Sequence, residues 1–285
     1  MRAEFTRIHK AFQDNGIEDP LAETLHVIDI VSGGAVSNAD VSCIAPDKID
    51  VSQIAARRKE GIPLEYLLGY AGFAGLTLRC TADTVIPTEY TKTLVDVAAD
   101  FIKERQQTGS RQVVIDIGTG CGNIPLLLAM KTTGVDILAS DVSPEAVGVA
   151  RQNIEKYHLE DIITLECGDL FEPFLEKGYA ETVDMVLCNP PYVPTAFIDK
   201  MVPEISAHQP RIALDGGPYG VSFYQKLVNE AVKVLKPGGL LVFEIGEGQE
   251  KLVSRTLDRH DRYEDLQYHR DHENIIRVLS ARKKL

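Results

Sequence analysis

The sequence lacks a long apolar run and a pairing pattern for its cysteines. No apolar stretch among its 285 residues approaches the length of a membrane span. Residues 1–7 lack the apolar core of a secretory signal peptide. The five cysteines are scattered, and none shows the paired CxxC spacing of a zinc site or the pattern of a disulfide framework. These absences predict a soluble, cytoplasmic protein with reduced thiols, without a membrane partner and without a metal ion.

Basic residues are scarce relative to acidic ones. Lys and Arg number 30 against 42 Asp and Glu, which gives a net charge of −12. An acidic protein is a poor general binder of phosphate backbones, although this charge is compatible with a local basic patch. The basic residues are dispersed except at 57–59 and at 282–284, and the latter run is typical of a solvated terminus. The composition therefore disfavours direct binding of nucleic acid.

The second half of the chain alternates strand-like and helix-like patterns. From Arg111 onward, apolar runs typical of buried strands alternate with segments of helical periodicity. This alternation predicts an α/β fold with a parallel, Rossmann-like sheet covered on both faces. Strands are expected near 113–117, 136–140, 162–166, 183–188 and 240–245, and helices near 123–132, 144–157, 221–235 and 248–259. Two short strands near 266–269 and 275–279 predict an antiparallel C-terminal hairpin at one sheet edge.

The first third of the chain predicts two smaller units. Residues 1–65 carry apolar residues at three-to-four spacing, with a break at Gly33-Gly34, which is typical of a small helical domain. Residues 66–90 combine closely spaced glycines with a short apolar run, which predicts a β-hairpin connector. Residues 91–285 form the expected main α/β domain.

A glycine-rich loop follows the first strand of this domain. The strand ends near Asp116, and the loop contains Gly118, Thr119, Gly120 and Gly122 in a GxGxG spacing that differs from the GxGxxG of dinucleotide folds. Glycines permit a tight turn and let a ligand approach the backbone closely. A carboxylate beside the loop would repel a pyrophosphate but suits a ligand with an ammonium and a sulfonium. The loop therefore favours S-adenosylmethionine over NAD, with a plain strand–helix turn as the alternative.

Two acidic residues follow the next two strands. Asp141 lies about 20 residues beyond the glycines, where this architecture binds ribose hydroxyls. Its alternative is a role at the start of the following helix, near Ser143. Asp169 follows the third strand and could accept from an adenine amino group, with Leu170 packed against the ring; taken alone it would be a turn residue. Both acids extend the expected cofactor site along the carboxyl edge of the sheet.

A polar corner follows the fourth strand. Asn189 offers a side-chain carbonyl, Pro190 a backbone carbonyl, and Tyr192, after Pro191, a flat face. Together they could accept both hydrogens of a planar NH₂ group and stack on its plane. Holding both hydrogens would turn the nitrogen lone pair toward a methyl donor, so the corner would act by orientation and electrostatics without a general base. An Asn cap before a proline turn is the alternative.

In this order, the glycine loop, the two acids and the polar corner resemble a class I methyltransferase of the amino-methylating type. Four further segments resemble the protein-(glutamine-N5) methyltransferase family, which modifies the Gly-Gly-Gln loop of peptide chain release factors; they are 15–20, 61–69, 85–87 and 210–217. The resemblance spans nearly the whole chain. It implies a class I methyltransferase fold, S-adenosyl-L-methionine as cofactor, and a release factor as protein substrate.

The resemblance also implies roles for individual residues. Asn189 and the Pro190 carbonyl would hold the glutamine amide, and Tyr192 would stack on it; Asn189 would in addition border the cofactor. The substrate side would include Pro191, Thr91 and Arg211. The helical domain and residues 193–210 would form protein-docking walls or a lid.

The sequence departs from the family at four positions. Thr88 stands where the family has Arg, Lys92 and Gln209 stand where it has Glu, and Ala74 stands where an aromatic residue is common. The change to threonine removes a planar bidentate donor, and the change to lysine reverses a charge. These changes lie on the expected substrate side, so the pattern indicates the cofactor more firmly than the methyl acceptor.

Two other functions are compatible with the sequence. A flipped adenine or cytosine, or a small metabolite, presents the same planar NH₂ group to the corner, although the net charge of −12 counts against a nucleic acid. A non-catalytic cofactor-binding module is suggested by the altered segment 88–92. The intact corner at 189–192 argues against it. The pattern leaves the oligomeric state open.

Overall fold

The computed structural model describes residues 2–32, 50–105 and 111–285. Its first part is helical, and a core of buried apolar side chains that includes Ile8, Phe12 and Val27 joins the helices. Polar side chains cap α2 and α3; at the start of α2, Asp19 accepts from the Ala22 N–H. These helices are α1 (Arg2–Asp14), α2 (Pro20–Ser32), α3 (Val51–Lys59) and α4 (Leu64–Leu68). The break expected at Gly33-Gly34, and Cys43, lie outside the described residues.

A two-stranded hairpin follows these helices, as the glycine-rich stretch predicts. Strands β1 (Tyr70–Phe73) and β2 (Leu76–Arg79) are antiparallel. Asn153 holds the hairpin against the main domain, because its side chain accepts from the Arg79 N–H at 2.6 Å and donates to the Arg79 carbonyl at 3.0 Å. The divisions at residues 65 and 90 stay predictions.

The main domain contains the predicted sheet. Its seven strands lie in the order β5-β4-β3-β6-β7-β9-β8. The first five are parallel, and the last two add antiparallel neighbours at one edge, which confirms the predicted C-terminal hairpin. The strands are β3 (Gln112–Ile117), β4 (Val135–Asp141), β5 (Ile163–Cys167), β6 (Val183–Cys188), β7 (Leu235–Glu244), β8 (Tyr263–Arg270) and β9 (Ile276–Lys283).

Helices cover both faces of this sheet and bury two large apolar clusters against it. One cluster packs under α5 and α6, and the other packs under α11 and α12. This two-sided burial explains why the strand sequences read as nearly continuous apolar runs. The helices are α5 (Thr91–Arg105), α6 (Asn123–Lys131), α7 (Pro144–Lys156), α8 (Glu172–Glu176), α9 (Thr195–Ile198), α10 (Pro203–Ser206), α11 (Ser222–Val234) and α12 (Glu250–Asp258).

Strand β7 differs from its predicted bounds. It begins at Leu235, whereas the sequence predicts a helix to 235 and a strand from 240. The intervening Lys-Pro-Gly-Gly reads as a turn, yet its backbone continues the strand. A register shift between Val183 and Met185 accommodates it, and Lys236 pairs with Asp184 at 3.0 Å.

Cysteine placement fits buried thiols at most described positions. Cys80, Cys121 and Cys188 are buried, and Cys167 is exposed; all four are unpaired. In the part of the chain that the structure describes, no helix has both the length and the apolar character needed to cross a membrane.

Candidate active site

The predicted site residues meet at the carboxyl edge of the sheet. Strand β3 lies between β4 and β6, and Asp116 is level with Ala139 on one side and Leu187 on the other. The loops that follow these three strands are therefore neighbours. They carry the glycine loop, Asp141 and the Asn189 corner, so the structure brings the sequence-predicted groups to one place.

Asp116 is fully buried and has unused hydrogen-bonding capacity. Its exposure is 0%, and within the described residues neither carboxylate oxygen has a hydrogen-bond partner. Burial raises the pKa of this carboxyl to about 7, the nearby Thr119 hydroxyl lowers it, and Asp141 raises it further. The Thr119 hydroxyl is likewise buried without a hydrogen bond. Buried polar atoms without partners are rare in proteins, so this pair indicates a place for a ligand's donors.

The glycines beside Asp116 leave open space. A Cβ at Gly118 or Gly120 would meet no atom within 4 Å, and both backbones have positive φ. A Cβ at Gly122 would instead lie 3.3 Å from the Ala150 side chain, so this glycine permits close packing of α7. The open cradle and the unpartnered carboxylate fit S-adenosylmethionine, whose ammonium and sulfonium suit an anionic wall.

Asp141 braces the glycine loop. One carboxylate oxygen accepts from the Gly120 N–H at 2.9 Å, and the other accepts from the Ser143 N–H at 3.0 Å. The cap of α7 is Ser143, whose hydroxyl accepts from the Ala146 N–H. Asp141 thus holds the glycine loop and also the turn that leads into α7. Its contact with ribose hydroxyls stays a prediction.

The loop after β5 presents one exposed acid and one buried side chain. Asp169 is exposed, whereas Leu170 is 6% exposed and packs into an apolar cluster. Leu170 has a φ of +47°, and its carbonyl accepts from the Ser140 hydroxyl at 3.2 Å. Positive φ is strained for a leucine and persists where surrounding contacts hold it, which is frequent at ligand sites. The roles of both residues toward an adenine stay predictions.

Two buried residues, Thr91 and Glu244, hold the Asn189 side chain of the polar corner through hydrogen bonds. The Asn189 amide donates through Nδ2 to Thr91 Oγ1 at 3.2 Å, and the Thr91 hydroxyl donates to Glu244 Oε2 at 2.7 Å. Pro190 is buried against the sheet. Sequence reasoning missed Glu244, although an acid that ends the apolar run 240–243 of a central strand carries the same signal as Asp116.

A hydrogen bond to its backbone carbonyl holds Tyr192 in place. Its carbonyl accepts from Gln249 Nε2 at 2.8 Å, a contact that sequence reasoning missed. Burial raises the pKa of the Tyr192 hydroxyl, and Glu244 raises it further while Arg277 lowers it. The phenol therefore stays neutral near pH 7, and the residue offers a flat face rather than a base.

The segment 210–217 closes over the corner. Val193 pairs with Asp215 in a parallel bridge, and Asp215 accepts from the Thr195 hydroxyl at 2.6 Å and from the Gly217 N–H at 2.9 Å. Arg211 pairs with Asp199 at 3.0 Å and its side chain is 55% exposed. Its contact with a substrate stays a prediction, because here it links two parts of the loop that follows β6.

Three of the four residues that depart from the family pattern have contacts or surroundings that the structure describes. Lys92 is on the surface of α5, where it forms an ion pair with Asp96 at 3.8 Å. Ala74 donates its N–H to Glu89 at 3.0 Å. Gln209 lines a cavity of about 370 Å³ between the first helices and the segment after the corner. These three residues therefore lie outside the glycine loop.

Arg58 connects the helical part to the segment after the corner. Its guanidinium pairs with Glu23 of α2 at 2.8 Å and with Glu204 of α10 at 2.6 Å, and its side chain is 18% exposed. Charge-assisted hydrogen bonds of this kind are the strong ones. Arg58, which lines the cavity, is therefore held by one ion pair to the helical part and by another to the segment after the corner.

Comparisons with known proteins identify relatives of this chain. Residues 85–217 match the model of the methyltransferase small domain. A release factor glutamine methyltransferase of Gloeobacter violaceus is 38% identical over 223 residues, which is 78% of this chain and 75% of the relative. Another of that name, from Geobacter sulfurreducens, is 32% identical over 250 residues, or 86% and 84%.

Solved structures share the fold at low identity. The N-terminal domain of human METTL16 in complex with SAH is 18% identical with a TM-score of 0.53, covering 82% of this chain and 84% of that one. The ribosomal protein L11 methylase of Lactobacillus delbrueckii subsp. bulgaricus is 15% identical with a TM-score of 0.50, covering 73% and 86%. These identities establish the fold alone.

The matches cover 75% and 84% of the length of the two sequence relatives. The fold, with its open space beside the glycine loop, is that of a class I enzyme that uses S-adenosylmethionine. The chain therefore belongs to the release factor glutamine methyltransferase family.

Proposed function

We propose that this protein transfers a methyl group from S-adenosylmethionine to the side-chain amide nitrogen of the glutamine in the Gly-Gly-Gln loop of a peptide chain release factor. The names of the sequence relatives support this substrate. The observation that carries the proposal is the Asn189 amide, whose Nδ2 is engaged by Thr91. Its Oδ1 is left to accept from a substrate NH₂ group.

The glycine loop and the acids beyond it would hold the cofactor. Asp116 would face its cationic end, and Asp141 and Asp169 would bind the ribose and the adenine, with Leu170 against the ring. Gly118 and Gly120 leave room beside the backbone, and the Thr119 hydroxyl offers a further polar contact. When bound, S-adenosylmethionine supplies a methyl group on a positively charged sulfur.

The corner would hold the acceptor amide in the reactive orientation. Asn189 Oδ1 and the Pro190 carbonyl accept its two N–H hydrogens, which draws the nitrogen lone pair out of conjugation with the carbonyl. Tyr192 stacks on the amide plane, and Pro191 fixes the backbone between them. The two carbonyls also stabilise the positive charge that develops on nitrogen. The proton leaves to water after transfer, so no side chain acts as a general base.

The helical domain of residues 1–65 and the segment 193–210 would form the docking walls for the release factor. The ion pairs of Arg58 join these two parts, which supports a shared surface. The hairpin 66–90 would connect them to the catalytic domain of residues 91–285, and Thr91 and Arg211 would border the substrate. This activity would take place in the cytoplasm, where release factors act.

The Asn189→Ala variant tests the proposal directly. Removing the amide acceptor should lower methyl transfer to a release factor by about 100-fold or more, because one pre-aligned hydrogen bond to a developing charge has that effect. Labelled cofactor and mass analysis of the release factor measure the product. Gln152→Ala, which removes a side-chain amide at an exposed position of α7, is the matched control.

Binding of S-adenosylmethionine to the Asn189→Ala variant should remain within a few-fold of wild type by calorimetry. Undiminished transfer by Asn189→Ala with intact cofactor binding would show that the clamp is wrong. Labelling of nucleic acid in place of the release factor would show that the acceptor is wrong.

A further inference from the structure

Asn189, Thr91 and Glu244 form a hydrogen-bonded chain beneath the polar corner. Thr91 is the first residue of α5 and is 1% exposed, and Glu244 is the last residue of β7 and is 2% exposed. The Asn189 Nδ2 to Thr91 Oγ1 distance is 3.2 Å, and the Thr91 Oγ1 to Glu244 Oε2 distance is 2.7 Å. Three separate elements therefore converge on one side-chain amide.

The chemistry of the three groups sets the direction of the chain. The ionised carboxylate of Glu244 only accepts, so in that form the single hydroxyl hydrogen of Thr91 is given to Glu244. The Thr91 oxygen can then only accept from Asn189, and this requires the NH₂ end of the asparagine to face Thr91. The oxygen end of Asn189 is thereby turned away from Thr91.

This direction matters because the two ends of an asparagine amide are nearly the same shape. A flip about the last side-chain torsion exchanges acceptor and donor with little change in packing. A flipped Asn189 would present NH₂ to the substrate amide nitrogen, and two NH₂ groups cannot bond through their hydrogens. The flipped form would instead accommodate a carboxylate, which accepts hydrogen bonds but has none to donate.

We propose that Thr91 and Glu244 are positioning residues that fix the orientation of the Asn189 amide, so that the site accepts glutamine and rejects glutamate. The inference rests on the proposed amide clamp and adds to it the source of its selectivity. Thr91 acts through Asn189, and Glu244 acts through Thr91. Arg277, which itself pairs with Asp271 at 3.0 Å, is a further charge near the Glu244 carboxylate.

The test compares two release factors that differ only in the loop residue, one with the natural Gln and one with Gln→Glu. Wild-type enzyme should bind the glutamine form far more tightly, because a site built to accept hydrogen bonds rejects a ligand that cannot donate them. In Thr91→Val the preference for glutamine should fall by about tenfold or more, since the amide is then free to flip. Calorimetry with both proteins measures this ratio.

Conservative variants separate orientation from general damage. Thr91→Ser retains the hydroxyl and should restore most of the preference. Glu244→Leu removes the acceptor at the other end of the hydrogen-bonded chain, and it should reduce the preference for glutamine as Thr91→Val does. Thr132→Val is the control, because it removes a hydroxyl that donates to the Leu128 carbonyl at 2.7 Å at the opposite edge of the sheet. Thermal unfolding and cofactor affinity check that each variant is folded.

The outcomes are distinct for the two proposals. An unchanged glutamine-to-glutamate ratio in folded Thr91→Val and Glu244→Leu overturns the positioning role. If that happens while Asn189→Ala still abolishes transfer, the clamp stands and only its source of selectivity is wrong. If the wild-type protein neither binds nor methylates a release factor, the proposed function is wrong, and the inference that rests on it is wrong as well. A ratio that collapses in both variants and recovers in Thr91→Ser supports the inference.

Discussion

At the scale of single residues, the proposed contact between Asp116 and S-adenosylmethionine would make cofactor binding depend on pH. The carboxyl is fully buried, and burial raises its pKa to about 7. A cationic ligand stabilises the ionised form, so binding below this pH must release a proton from Asp116. The affinity for S-adenosylmethionine should therefore increase from about pH 6 to about pH 8.

Asp116→Asn should weaken this affinity by about tenfold or more at the upper end of the range and reduce its pH dependence. Calorimetry in buffers of different ionisation enthalpy measures both the affinity and the protons released. Asp100→Asn, whose side chain is 75% exposed, removes an equal charge at the surface and serves as the control. A variant at Asp116 with the affinity and proton release of wild type would contradict the assignment.

The sequence predicts some of these residues and not others for a physical reason. Asp116 and Asn189 each stand where an apolar strand ends, so local pattern alone indicates them. The Thr91 to Glu244 bond joins positions 153 residues apart, and no local spacing predicts such a contact. Arg211 is typical of a substrate contact by resemblance, yet its surface ion pair with Asp199 depends on the path of the loop.

At the scale of elements, glycines let the segment after β6 and the loop 216–220 pack together. A Cβ at Gly220 would lie 2.3 Å from the Tyr192 carbonyl oxygen, and one at Gly216 would lie 2.9 Å from the Pro191 carbonyl oxygen. Gly220 also has a φ of +70°, which disfavours any side chain. These backbones can approach only because both positions lack a side chain.

Gly220→Ala should displace the corner and lower methyl transfer by about 100-fold, because shifts near 1 Å in a reacting group have effects of this size. Cofactor affinity should change far less, because the glycine loop follows β3 and is not part of the contact between Gly220 and Tyr192. The control is Gly148→Ala in the interior of α7, where a Cβ meets nothing within 4 Å. That change should stabilise the protein by about 0.5–1 kcal/mol in denaturant unfolding. Wild-type turnover in Gly220→Ala would refute the packing argument.

Element bounds were predictable where burial alone defines them. Strand β6 lies at the predicted 183–188, because every residue of it is buried. The segment 193–210 reads as a long polar stretch, yet it contains α9 and α10. Helices of four residues carry too few turns to show a periodicity, and tertiary contacts such as Arg58 with Glu204 stabilise them.

At the scale of the whole molecule, the alternation of strands and helices predicts the fold class but not the strand order. Periodicity reports which faces are buried, whereas the order depends on how far each connection crosses the sheet. The observed order places β3 beside β6, although β4 and β5 intervene in sequence. This crossover is what brings the glycine loop next to the corner at Asn189.

Stability of the whole molecule should depend on pH through two of its buried acids, Asp116 and Glu244. Burial raises the pKa of Asp116 and that of Glu244 each to about 7, and the Thr91 hydrogen bond and Arg277 lower the latter. An acid with a raised pKa in the folded state favours folding at low pH. Its contribution is fully present below the usual value near 4 and is lost as the pH rises through about 7.

His26 adds a smaller effect of the same sign. Its hydrogen bond with Glu65 raises the pKa of the imidazole, although burial lowers it. A base with a raised pKa also stabilises the folded state below its usual value near 6.5, and this contribution is lost as the pH rises. The side chain is 50% exposed, so solvent weakens the pair.

The melting temperature of the cofactor-free protein should therefore fall by several degrees between about pH 5 and about pH 8, since about 1 kcal/mol shifts it by about 2–4 °C in proteins of this size. The double variant Asp116→Asn, Glu244→Gln should flatten this profile in scanning calorimetry, because neither replacement ionises. His26→Gln should remove only a minor part, and Asp100→Asn should leave the slope as in wild type. A profile that is already flat in wild type, or equally steep in the double variant, would mean that the two acids are ionised in the folded protein throughout this range. Saturating S-adenosylmethionine should reduce the slope in wild type, because a bound cation keeps Asp116 ionised at lower pH.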